Sequence, residues 1–148
     1  MMINPNLQMN LEVFWRIFLA FLLGGLIGWE RELHGISAGI RTYGSIALGS
    51  CVFGILSLSV LNSDPSRIAA QIVTGIGFLG GGVIFRKDNY VSGLTTAATL
   101  WATAAVGLAV SFGFYFVSFL TSLLLFVLLY LPRLKWWKKI SAKVKEHD

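Results

Sequence analysis

The chain has 148 residues, of which 55% are hydrophobic and 13% charged, with a formal net charge of +5. One domain fits this length, but a soluble domain normally carries about 25% charge; lipid is therefore the expected solvent. The basic balance does not signal a nucleic-acid surface, because half of the 12 Lys and Arg lie after Pro132.

Five stretches are long and apolar enough to read as spanning helices, which need about 20 residues: 11–29, 42–61, 65–85, 93–110 and 113–131. The first carries no Lys or Arg before its apolar run, and that run exceeds the length of a signal core. It reads as a retained helix, capped by Asn10. Glu12 and Arg16, four apart, form a favourable pair on it.

Asp64 and Pro65 mark the start of the third helix, the carboxylate accepting free N–H groups and the proline fitting the first turn. Arg67 either pairs with Asp64 or reaches the outer surface, and Gln71 lies one turn deeper. Ser92 is the expected cap of the fourth helix. A turn near 111–113 is required, because a single helix over 93–131 would run about 58 Å. Pro132 closes the fifth helix.

Loop charge sets the expected orientation. With five spans, Arg31, Arg41, Arg86, Lys87 and the basic tail share one side, against Arg67 and Arg16 on the other. Cationic residues stay cytoplasmic, so the C-terminus is expected inside. The expected organisation is an external segment over 1–10, an all-α, polytopic five-helix membrane domain over 11–131 and a basic cytoplasmic tail over 132–148. Trp136 and Trp137, between lysines, read as an interfacial anchor.

Small residues gather in the middle of the chain. Gly24 and Gly28 are one turn apart; Gly75, Gly77, Gly80, Gly81 and Gly82 crowd the third helix; Thr95, Thr99, Thr103 and Gly107 recur every fourth residue of the fourth. Such stripes allow close helix approach, within one chain or between chains. The third and fourth helices are thus expected to form the inner pair, and the Leu- and Phe-rich fifth to face lipid. Gly75-Ile-Gly-Phe-Leu-Gly80 also matches a dinucleotide fingerprint, but that motif needs a preceding strand in a soluble βαβ unit.

The most unusual polar stretch is Trp29-Glu-Arg-Glu32, followed by His34 and Ala38-Gly-Ile-Arg-Thr42. It reads either as a solvated helix end or as a charged cluster at the mouth of the bundle. Glu30 and Glu32 lie on different faces of a continuous helix, and would share one ion only if the helix broke there. No Asp or Glu falls near the middle of a span, where a carrier of bare ions would be expected to show one. The lone Cys51 and the separated His34 and His147 give no zinc pattern. No nucleophile, base and orienting group lie together, so no enzyme is expected.

Five segments in order, Gly24-Gly-Leu-Ile-Gly-Trp-Glu-Arg-Glu32, Ala38-Gly-Ile-Arg-Thr42, Asp64-Pro-Ser-Arg-Ile68, Gly75-Ile-Gly-Phe-Leu-Gly80 and Gly93-Leu-Thr-Thr-Ala97 with Trp101, resemble the MgtC/SapB family of bacterial inner-membrane proteins. The resemblance covers most of the membrane domain and implies a five-helix protein tied to magnesium limitation, some members aiding intracellular pathogens. It implies a short form, without the soluble domain that longer members carry after the last helix. The residues carried over as functional are Glu30, Arg31, Glu32, Arg41, Thr42, Asp64, Arg67, Gln71, Thr95, Thr96 and Trp101. The expected activity is regulation, through helix contacts with another membrane complex; the alternative is an oligomeric transporter of Mg²⁺ or another small ion or solute. The expected partners are the lipid bilayer and either a second copy of the chain or another membrane protein complex. No cofactor is expected, and Mg²⁺ enters only as a candidate ion.

Overall fold

The computed structural model describes residues 5–59, 64, 66–87 and 90–134. The expected roles of Pro65 and of the basic tail from Lys135 onward, with Trp136, Trp137 and His147, lie outside the described residues. Five helices dominate: α1 (Pro5–Glu32), α2 (Ile40–Ser59), α3 (Ser66–Gly82), α4 (Leu94–Ser111) and α5 (Tyr115–Tyr130). Between α3 and α4 lies a hairpin of β1 (Phe85–Lys87) and β2 (Tyr90–Ser92), pairing Phe85 with Ser92 and Arg86 with Val91.

Among the described residues, four segments are long and apolar enough to cross a bilayer: Met9–Glu32, Ile40–Ser59, Leu94–Ser111 and Tyr115–Arg133. The 17 residues of α3 run about 26 Å, slightly less than the roughly 30 Å hydrocarbon core. The helices alternate in direction. Arg133, after α5, meets Glu30 at the end of α1, whereas Arg16 on α1 meets Ser111 and Tyr115 at the opposite end. The chain is a multi-pass, five-helix membrane protein.

Several boundaries differ from the sequence reading. Helix α1 begins at Pro5, so Asn10 lies within it rather than capping it. Proline suits a first turn because its missing N–H would have been unpaired anyway. Helix α3 stops at Gly82 rather than running to residue 85, after three consecutive glycines that favour helix least among non-proline residues. The cap of α4 is Gly93, at φ 87°, and not Ser92, whose hydroxyl instead approaches the Phe85 carbonyl at 3.5 Å.

Two turns follow one rule. After α4, the Phe114 N–H reaches back to the Ala109 carbonyl at 2.9 Å and the Gly113 N–H to that of Val110 at 3.0 Å. After α1, the Ile36 N–H reaches Arg31 at 3.2 Å and the Gly35 N–H reaches Glu32 at 3.0 Å. Both use a glycine at positive φ, 79° at Gly113 and 69° at Gly35, where a Cβ would be strained. A glycine at each site thus lets the last carbonyls of a helix be satisfied where lipid or headgroups offer few donors.

Helices α1, α2 and α4 form the packed centre. Ala47 on α2 is fully buried between two glycines. A Cβ built on Gly24 of α1 would lie 2.5 Å from the Ala47 Cβ, and one on Gly107 of α4 would lie 2.8 Å from its carbonyl carbon. At Gly28, a Cβ would lie 2.7 Å from the Ile40 Cα. With lipid as apolar as the side chains, this close packing supplies the association energy that hydrophobic burial supplies in water. Two apolar clusters stack on it: Ile27, Tyr43, Leu100 and Leu129 near one end, and Ala20, Cys51, Val106 and Val110 toward the other. The expectation that α3 is an inner helix does not hold. Of its residues only Ile76 and Gly80 are buried, because α2, with its own small residues, takes the place beside α4. Helix α5 turns Leu125 and Leu129 inward and exposes Phe116 and Leu128, as its composition leads one to expect.

Candidate functional site

The end of the bundle where α1 stops and α2 and α4 begin carries most of the described charge. Helix α1 continues unbroken through Glu32, so Glu30 and Glu32 leave it in different directions. Glu30 is buried, with 7% of its surface exposed, and one carboxylate oxygen pairs with the Arg133 guanidinium. The same oxygen lies 3.5 Å from His34 Nδ1. Glu32 instead turns toward α2 and accepts the Ile40 N–H at 3.0 Å. It therefore supplies from a neighbouring helix the cap that α2 lacks in its own sequence.

Arg31 points into the bundle and donates to the Thr96 hydroxyl at 3.4 Å. Beneath it, Tyr43 and Thr99 share a 2.6 Å hydroxyl bond, and the Thr99 hydroxyl also lies 2.9 Å from the Thr95 carbonyl. Among the described residues, Glu30 Oε2 and Arg31 Nε are buried without a hydrogen-bond partner. Thus Glu30, Arg31, Thr96, Tyr43, Thr99, His34 and Arg133 make one polar node joining α1, α2, α4 and the turn after α5. The sequence reading did not include Tyr43 or Arg133 in the site. Tyr43 has the signal of a hydroxyl in an apolar helix, four residues from Ala47 on the packed face; Arg133, over 100 residues from Glu30, carries no local signal.

Arg41 and Thr42 are exposed and line a different feature. With Glu32, Ser37 and Ser45 they bound a cavity of mixed polarity, about 500 Å³. It adjoins an apolar groove of about 530 Å³ between α2 and α3, whose walls include Gly49, Phe53, Gln71 and Gly75. Ser45, Ile46 and Leu79 belong to both, so the two are continuous.

Asp64 and Arg67 sit at the opposite end. The Asp64 carboxylate accepts the Ser66 N–H and the Ser66 hydroxyl, both at 2.8 Å. These bonds, with Arg67's charge adding to them, hold its pKa below the usual carboxylate value. Among the described residues Asp64 and Arg67 form no ion pair. At this end Glu12 pairs with Arg16, as expected, but Arg16 also donates to the Ser111 carbonyl at 2.6 Å and to the Tyr115 hydroxyl at 3.2 Å. It therefore ties α1 to the end of α4 and the start of α5. Thr95 is exposed, and Trp101 is half exposed on the outer surface of α4. The structure thus divides the expected set between a buried node, an amphipathic groove, a distant cap and the lipid-facing surface. Among the described residues no three His, Cys, Asp or Glu side chains gather as metal ligands would.

The family model for MgtC matches residues 17–136. Protein MgtC of Brucella abortus is 56% identical over 89 residues, covering 60% of this chain and 37% of that protein. Protein SapB of Bacillus subtilis is 40% identical over 135 residues, covering 84% of this chain and 57% of that protein. The Escherichia coli protein named "Putative magnesium transporter YhiD" is 44% identical over 116 residues, covering 72% of this chain and 54% of that protein. The alignments thus take in about half the length of these relatives. No solved structure matches the chain at a significant level.

Proposed function

The chain belongs to the MgtC family, and from that premise we propose that it is a bacterial inner-membrane protein serving magnesium homeostasis, as a regulator that binds another membrane complex through helix contacts. The names of its relatives motivate the link to magnesium. Arg31, Arg41, Arg86 and Arg133 lie toward one end of the bundle and Arg16 and Arg67 toward the other, which favours placing the Glu30 end in the cytoplasm.

The observation carrying the regulatory reading is the outer face of α3. A Cβ at Gly77, Gly81 or Gly82 would meet nothing within 4 Å, and Phe78 beside them is 85% exposed. The glycines of α1 and α4 press against α2, but these press against nothing among the described residues. A facing helix could approach such a surface closely and gain dispersion contacts along it.

The test places a photocrosslinking amino acid at Phe78 and, as a control, at Phe119 on α5, in cells starved of magnesium. The expected result is an adduct with a different membrane protein from Phe78 and not from Phe119. Adducts confined to a second copy of this chain would count against the reading. The groove between α2 and α3 supports a second reading, solute transport: flux into reconstituted vesicles that disappears in Gly49→Leu would favour it.

A further inference from the structure

The packed glycines explain themselves, but two others do not. Gly49 on α2 and Gly75 on α3 line the apolar groove from either side, and among the described residues a Cβ on each would meet nothing within 4 Å. Glycine inside a helix is disfavoured against alanine unless its missing side chain serves something. Here it keeps a groove open. The walls are mostly apolar, with Phe53, Ile68, Ile72 and Ile76 among them. Along α2 the combined cavity runs from Arg41 to Phe53, about 18 Å of helix, which is close to half of a roughly 30 Å hydrocarbon core. That is the depth of one lipid leaflet.

The mouth has a different chemistry. It holds one cationic and one anionic side chain, Arg41 and Glu32, which line the same cavity without closing into an ion pair. Ser37, Thr42 and Ser45 add hydroxyls. Glu32 Oε2 already accepts the Ile40 N–H, and its charge remains available to a cation. A single anion would meet the carboxylate, and a single cation would meet the guanidinium. A group carrying both a phosphate and an ammonium matches both.

We propose that this groove binds one phospholipid with a phosphoethanolamine-type headgroup. Its phosphate lies on Arg41, its ammonium faces Glu32, and one acyl chain lies between Gly49 and Gly75. Charge complementarity selects a zwitterionic headgroup, the acceptors Glu32, Ser37, Thr42 and Ser45 favour an ammonium that carries N–H donors over a quaternary one, and continuity through Ser45, Ile46 and Leu79 joins the headgroup to the chain. A chain held there would also close the route that the transport reading requires.

The test uses the full chain purified in mild detergent and offered phosphatidylethanolamine, phosphatidylcholine or phosphatidylglycerol with identical acyl chains. Native mass spectrometry counts the lipids retained. Wild type should keep one phosphatidylethanolamine per chain in preference to the other two. Arg41→Gln should lower retention of phosphatidylethanolamine and of phosphatidylcholine alike, about tenfold, the scale of one charge-assisted hydrogen bond, whereas Glu32→Gln should remove the preference for phosphatidylethanolamine over phosphatidylcholine. Gly49→Leu should lower retention of all three lipids, and Gly75→Leu should do the same from the opposite wall. Circular dichroism of each variant would confirm that the bundle is intact. Equal retention of the three lipids by wild type, a preference for phosphatidylglycerol, or retention unchanged in folded groove variants would overturn the proposal. Displacement of the lipid by free phosphoethanolamine at equal concentration would also overturn it, since the acyl chain would then contribute nothing. All readouts use purified protein, so their failure is separate from failure to find a partner on α3.

Discussion

Replacing Gly107 by alanine should separate the two helices at the centre of the bundle. The added Cβ would lie 2.8 Å from the Ala47 carbonyl carbon and 2.9 Å from its Cα, whereas non-bonded carbons rest at about 3.5–4.0 Å. The Ala47 carbonyl oxygen would lie closer still, so relief requires α2 and α4 to move apart by roughly 1 Å or more, and a radial gap of 0.5–1 Å already forfeits about a quarter to a half of each contact's attraction. The Ala47 side that would yield is already held by Gly24 of α1, so α2 cannot retreat without losing that contact as well. Overpacking of this kind costs about 1–3 kcal/mol. Gly77→Ala is the matched control, because the added Cβ there meets nothing within 4 Å; it should be neutral or slightly stabilising. Unfolding of both variants by titration from mild detergent into denaturing detergent, followed by circular dichroism, would measure the difference. Equal stability of the two variants would refute the claim that glycine contacts with Ala47 hold the bundle together.

Arg133→Met leaves the buried Glu30 carboxylate without its guanidinium and should destabilise by about 1–3 kcal/mol, below the usual figure for a buried pair because water reaches Arg133. The double variant Glu30→Gln with Arg133→Met should recover part of that loss in the same unfolding assay. Tyr43→Phe removes the 2.6 Å bond to Thr99 and should lower stability by about 1 kcal/mol, measured by the same titration and unaccompanied by a change in helix content. Asp64 has a pKa lowered in the folded state by its bonds to Ser66, so the unfolded chain takes up the proton first as pH falls. Its contribution is present at neutral pH and fades as pH drops through the carboxylate range. The difference in thermal midpoint between wild type and Asp64→Asn should therefore shrink between pH 7 and pH 3, and a constant difference would exclude this role.

Apolar run length, the glycine at 113 and the proline at 132 were enough to place five helices and the turn between the last two, because bilayer thickness and backbone hydrogen bonding act on local sequence. Periodic small residues marked the close-packing faces of α1 and α4, but they did not mark α2, against which both press, and did not tell which glycines are used. Gly24, Gly28 and Gly107 met backbone, while Gly77, Gly81 and Gly82 met nothing, a distinction that depends on which helix stands opposite. The order of helices around the bundle is likewise a matter of tertiary packing, so α3 read as central by composition and sits at the edge. The charged residues near Glu30 were visible from their rarity in an apolar chain. Their division was not: Glu30 turns to Arg133, Glu32 to the start of α2, and Arg41 to a groove. The partners of Glu30 and Glu32 come from a segment distant in sequence or across a turn, and the groove beside Arg41 is made by two helices, so only the folded chain brings these together.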